Sequence, residues 1–139
     1  MKQGVIKIKN LSGQDISSFE VLMKDFVNHA QQTFGFSKPV EIQFVSDPSN
    51  ALDPLGKTAY YEPGTATVVV YIDDRHPKDI MRSVSHELVH HTQNERGDFD
   101  NVTAMGEGYA QSDEHLRDME REAYEAGNLC FRDWEDNLK

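Results

Sequence analysis

The chain has 139 residues, 37% of them apolar, and a formal net charge of −10 from 14 basic and 24 acidic side chains. That length suits a single domain, residues 1–139, with a real hydrophobic core, and the acidic balance repels phosphate backbones, so nucleic acid is excluded as an expected partner. No apolar run is long enough to span a bilayer, Lys7 and Lys9 interrupt the short apolar start, and the single Cys130 excludes an internal disulfide, so an intracellular, cytoplasmic protein with no membrane partner is expected.

In chain order, Asp15 stands where it can cap a helix whose buried side is Ile16, Phe19, Leu22, Met23, Phe26, Val27 and Ala30, ending near Gly35. Val40 to Val45 alternates Val40, Ile42 and Phe44 with Glu41 and Gln43, the period of a strand. Asp47 to Gly56, with Pro48, Pro54 and Gly56, reads as a loop. Lys57 to Tyr61 and Thr65 to Ile72 then form a hairpin around Pro63 and Gly64.

Pro77 opens the next helix, with Asp79 favourably placed in its first turn. Ile80, Val84 and Leu88 recur every four residues beside Met81, and Gly97 offers a stop, so the helix spans approximately Pro77 to Glu95. Inside it stands His86-Glu87-Leu88-Val89-His90, an HExxH segment. Four-residue spacing puts both imidazoles on one helix face, within about 40° of each other and away from the centre of the apolar stripe. Two histidines so placed suit a divalent zinc ion, and Glu87 stands where a carboxylate takes a proton from metal-activated water without being a ligand. His91 points about 100° away from His90 and reads as a packed helix residue.

A catalytic zinc site needs a third protein ligand. Glu120, Glu122 and Glu125 are the close candidates, on a helix expected from about Ser112 to Trp134 with Leu116, Met119, Ala123, Ala126, Gly127, Cys130 and Trp134 along one side. Glu122 and Glu125 fall with Asp118 and Arg121 on the solvated side, whereas Glu120 lies at the edge of the buried side. A lone carboxylate directed inward is costly unless a cation receives it, which selects Glu120. Small Ala123 and Gly127 on the same side would let the two helices approach closely.

The string HELVH followed by Glu120 in Glu120-Arg121-Glu122-Ala123-Tyr124-Glu125-Ala126-Gly127 resembles the gluzincin metallopeptidases, and the small size resembles the minigluzincins. The resemblance covers approximately Thr58 to Cys130. It implies an α+β, zincin-like half-domain, with a short, mainly antiparallel sheet of about three to four strands packed on an N-terminal helix, the HExxH helix and a glutamate helix. It further implies one catalytic Zn2+ held by His86, His90 and Glu120, Glu87 as the general base, and a peptide or protein substrate. Many gluzincins carry an Asp four residues after the ligand Glu, where it orients a zinc histidine; here that position is Tyr124. Tyr124 or a backbone carbonyl is then expected to take over this support.

In related peptidases an edge strand beside the active-site helix pairs with extended substrate, and either hairpin strand is a candidate for that role. Gly97 to Gln111 is long enough for a mobile loop over the cleft, with Tyr109 and His115 as candidates for stabilising an oxyanion. Asp98 to Lys139 holds twelve acidic and four basic residues, a net of −8, which suits a solvated face or selection of basic partners. The rival expectation is a zinc-containing regulatory or structural interaction module in which hydrolysis is weak or absent. The segment after Trp134 is also a candidate for holding the centre latent. The sequence leaves the oligomeric state open.

Overall fold

The structure, a computed structural model, describes residues 6–49, 58–97 and 109–138, with side chains from Glu114 onward in the last segment. Four strands, β1 (Ile6–Asn10), β2 (Val40–Val45), β3 (Ala59–Glu62) and β4 (Thr67–Tyr71), and three helices, α1 (Ser17–Phe34), α2 (Pro77–Arg96) and α3 (Tyr109–Asp136), make an α+β arrangement. The sheet order is β1-β2-β4-β3.

The sheet is mixed rather than mainly antiparallel. β1 pairs with β2 in parallel, Ile6 opposite Val40, and β2 pairs with β4 in parallel, Glu41 opposite Thr67; only β3 and β4 run antiparallel, Tyr60 opposite Val69. The connectivity gives the reason: α1 lies between β1 and β2, and a strand, helix, strand crossover returns the chain in the same direction. β1 itself, with Ile6 and Ile8 partly buried between exposed Lys7 and Lys9, carries the alternation of a strand.

The core lies between the sheet and the helices. Val40, Ile42 and Phe44 of β2 and Val68 and Val70 of β4 are buried, facing Phe19, Met23, Phe26, Val27 and Ala30 of α1. Phe19 meets Phe44 edge-on at 5.7 Å between ring centroids, and Phe26 meets Phe131 and Trp134 of α3 at 5.8 and 5.2 Å. Two expected positions differ: Leu22 is 43% exposed, and Phe131, not counted on the buried side of α3, is buried. The carboxylate of Asp15 accepts the Ser17 N–H at 2.9 Å, while the N-cap residue is Ile16 and Gly35 closes α1 in the left-handed conformation. Cys130 is buried, in the packing position expected of it.

Two polar clamps join the elements around the site. Arg75 donates to the carbonyls of Thr58 at 3.1 Å, Tyr71 at 2.9 Å and Asp79 at 2.9 Å and to the Ser83 hydroxyl at 2.6 Å, tying the start of β3 and the end of β4 to the first turns of α2. Glu95, near the end of α2, accepts the N–H groups of Ser37 and Lys38, both at 2.8 Å, and so fixes the chain entering β2. Among the described residues no helix is long and apolar enough to cross a membrane. Most of the expected loop over the cleft, and most of the Asp47 to Gly56 loop, lie outside the described residues.

Candidate metal centre

α2 starts on Pro77, with His76 Nδ1 accepting the Lys78 N–H at 3.1 Å, and ends on Gly97 in the left-handed conformation. Its Ile80, Met81, Val84 and Leu88 stripe is buried, which leaves the adjoining face to α3. α3 runs antiparallel to α2, as its contacts show in sequence: Lys78 with Glu135, Ser85 with Gly127, and Gln93 with Met119. The helices touch at Gly127, where a Cβ would lie 3.2 Å from both Cα and N of His86. The buried Ser85 hydroxyl donates to the Gly127 carbonyl at 2.7 Å and locks the crossing. Glu120 lies about two helical turns before that contact, over the same groove.

The result is a convergence of three side chains. Glu120 Oε1 stands 2.9 Å from His86 Nε2, and its Oε2 stands 3.2 Å from His90 Nε2. All three ligand atoms lie within 4.8 Å of one another. Donors bound to one ion at about 2.1 Å in a tetrahedron stand about 3.4 Å apart, so this set fits a single divalent cation with small adjustments. Two imidazoles and a carboxylate are also the donor types such an ion takes in a three-ligand site. Glu122 and Glu125 do not belong to the group.

Glu120 is not the inward carboxylate expected. Its side chain is 51% exposed, at the rim of a cleft rather than beneath it, while the side chains of His86 and His90 are 19% and 12% exposed. Hydrogen bonds from His86 and then His90 hold the Glu120 carboxyl well below the usual carboxylate range. His90 moves the other way from an ordinary histidine: burial pulls its pKa down, but the hydrogen bonds to Glu120 and Gln93 and the charge of Glu87 outweigh that and raise it.

Glu87 is 8% exposed and lines the same cleft, a cavity of about 400 Å³ whose walls include Thr58, Ala59, Arg82, Tyr124 and Asn128. Burial pushes its carboxyl up, against the pull of the two histidines. A carboxyl raised by desolvation, beside three converging side chains that could hold a metal ion and open to a cleft, is in a position to exchange a proton with a bound water.

The remaining sequence candidates separate. Tyr124 lines the cleft, and its ring packs edge-on against His86 at 4.7 Å between centroids, so it touches this histidine through the ring. His115 is not among the residues lining the cleft. Tyr109 opens α3, which starts earlier than expected, and its side chain lies outside the described residues. His91 is buried, with Nε2 donating to the Lys38 carbonyl at 2.9 Å and Nδ1 bonded to the Tyr61 hydroxyl at 2.8 Å, a packed residue as its spacing implies.

The support of His90 falls to a residue that sequence reasoning missed. His90 Nδ1 lies 2.8 Å from Oε1 of Gln93, whose amide nitrogen donates to the Met119 carbonyl at 2.9 Å and to Glu122 Oε1 at 2.8 Å. Glu122 is therefore not merely solvated: it also takes a two-pronged pair from Arg96 at 2.7 and 3.0 Å. The signal available in the sequence is the three-residue spacing of His90, Gln93 and Arg96 along one face of α2.

The end of α3 lies away from this centre. Trp134 is buried, its indole N–H donates to Asp25 at 2.8 Å, and Glu135 pairs with Lys78 at 2.6 Å, about 22 Å along the helix from Glu120. None of the described residues after Trp134 lines the cleft. No protein-family model matches the chain, and neither the curated proteins nor the solved structures give a match.

Proposed function

We propose that the chain is a metal-dependent peptidase of the gluzincin type, with His86, His90 and Glu120 holding zinc and Glu87 acting as general base. The observation that supports this most is the placement of Glu87, buried beside the three converging ligand atoms and exposed to the same cleft. When bound, a zinc ion supplies Lewis acidity toward water and a peptide carbonyl. Glu87 accepts the proton of the attacking water and returns it to the departing amine, so no covalent intermediate on the chain is needed. β3 is the terminal strand of the sheet, and its Ala59 lines the cleft beside His86 and Glu87. An extended peptide paired with that edge brings successive backbone carbonyls past Glu87. Arg75 holds the start of this strand in place through Thr58.

Metal content and hydrolysis test the two halves separately. Wild-type protein purified without chelator is expected to carry about one zinc per chain and Glu120→Ala much less, with cleavage of an unstructured peptide panel lost on chelation and regained with zinc. No zinc, even after it is added back, would refute the centre. One zinc without hydrolysis would leave a metal-holding interaction module.

A further inference from the structure

Gln93 is fully buried and makes three hydrogen bonds that dictate one another. Met119 O is a carbonyl and Glu122 Oε1 belongs to a carboxylate, so both only accept. The Gln93 NH2 group must face them, whichever way the amide is drawn. Its Oε1 is then left toward His90 Nδ1, and an oxygen there requires that Nδ1 carry hydrogen. His90 is thus held with Nδ1–H turned away and Nε2 turned toward Glu120, 3.2 Å away.

The chain continues outward. Glu122 is bonded by Arg96 through both of its oxygens, and Arg96 lies about two and a half turns along α2 from Glu87, with its side chain 47% exposed. We propose that Gln93 is the positioning residue for His90, and that Arg96 and Glu122 set its amide, so that a surface guanidinium tunes how well Nε2 is presented to a divalent cation. This inference rests on the metal-centre reading above. It assigns the support of a ligand to the residue three after it on its own helix, with Tyr124 serving only as a ring against His86. Partners of this kind commonly change metal affinity roughly 10 to 100-fold when lost.

The test compares wild type, Gln93→Met and Arg96→Met for Zn2+ affinity by competition with a chromophoric chelator, alongside 15N NMR of the His90 ring in the zinc-loaded proteins. Gln93→Met keeps bulk but removes the acceptor; Arg96→Met changes an exposed side chain and keeps the variant set informative if the first fails to fold. The expected result is affinity lowered roughly 10 to 100-fold in Gln93→Met and less in Arg96→Met. In both, the His90 Nδ1–H signal should shift or exchange faster with solvent. Unchanged affinity in Arg96→Met and in folded Gln93→Met would overturn the inference while leaving the metal centre standing. Weaker binding with an unaltered Nδ1–H signal would also overturn it, since that is what a merely structural role predicts. A wild type that binds no Zn2+ would overturn the centre, and this inference with it.

Discussion

Burial of a carboxylate is normally a cost, and at Glu87 it is a cost located where the proposed mechanism needs a proton acceptor. The side chain is 8% exposed, its carboxyl is raised first by desolvation, and the histidines on either side temper that shift. Glu87→Gln removes the proton acceptor but keeps size and hydrogen-bonding capacity, and Glu87 is not one of the three grouped ligand residues. The variant should therefore bind zinc as wild type does while its turnover falls by at least about 10²-fold, the usual scale of a positioned general base. Parallel measurement of zinc stoichiometry and peptide cleavage checks this; a variant that cleaves at the wild-type rate would remove Glu87 from the mechanism. The placement of Glu87 and the two histidines on one helix was legible from five letters. Gln93 was not, because a glutamine on a helix face reads as solvated until the carbonyl of Met119 is seen to meet it from another helix.

At the scale of elements, the centre depends on how closely α2 and α3 approach. The sequence offered small Ala123 and Gly127 for this contact, and both are buried at it. At Gly127 the neighbours of an added Cβ are backbone atoms, His86 Cα and N at 3.2 Å and Ser85 C at 3.4 Å, so a side-chain rotation cannot make room. Gly127→Ala gains up to about 1 kcal/mol in helix propensity, against about 1–3 kcal/mol for overpacking a close contact. A net loss of about 1 kcal/mol is expected, with weaker zinc binding because the backbone displaced carries His86. Urea unfolding and chelator competition on the same samples measure both; no change in either would show that the crossing has slack. Helix and strand positions were largely legible from periodicity and caps, since Pro77 and Gly97 mark α2 and the alternation from Val40 to Val45 marks β2. Strand direction was not, because it follows from the α1 crossover between β1 and β2 rather than from any local pattern. The exposure of Glu120 was missed for a related reason: a helical wheel places a residue on a side but does not show where the neighbouring helix ends its cover.

The molecule as a whole places its three parallel strands so that they end together, and one carboxylate gathers the segments that leave them. Asp73, after β4, accepts from Ser46 Oγ at 2.7 Å and Asp47 N at 2.5 Å after β2, and from Gln14 Nε2 at 2.9 Å after β1. Asp74 beside it has φ 54°, a left-handed conformation uncommon for a residue other than glycine, and the turn leads directly to Arg75 and α2. The Ser46 hydroxyl first, then the Asp47 and Gln14 hydrogen bonds, hold the Asp73 carboxyl below its ordinary value despite some desolvation. A carboxyl lowered in the folded state contributes stability that is fully present above its unfolded pKa of about 4, and loses it as pH falls through the folded value. Asp73→Ala should therefore be less stable than wild type near neutrality, and the difference should shrink as pH drops below about 4, where wild-type Asp73 takes up its proton. Denaturant unfolding of both proteins at a series of pH values measures the difference directly. A gap that stays constant into acid would mean that the side chain acts by packing and not by charge. Because the same turn sends the chain into the helix that carries His86, Glu87 and His90, loosening it should also lower zinc affinity near neutral pH, though these residues share no contact with Asp73 among the bonds that hold it.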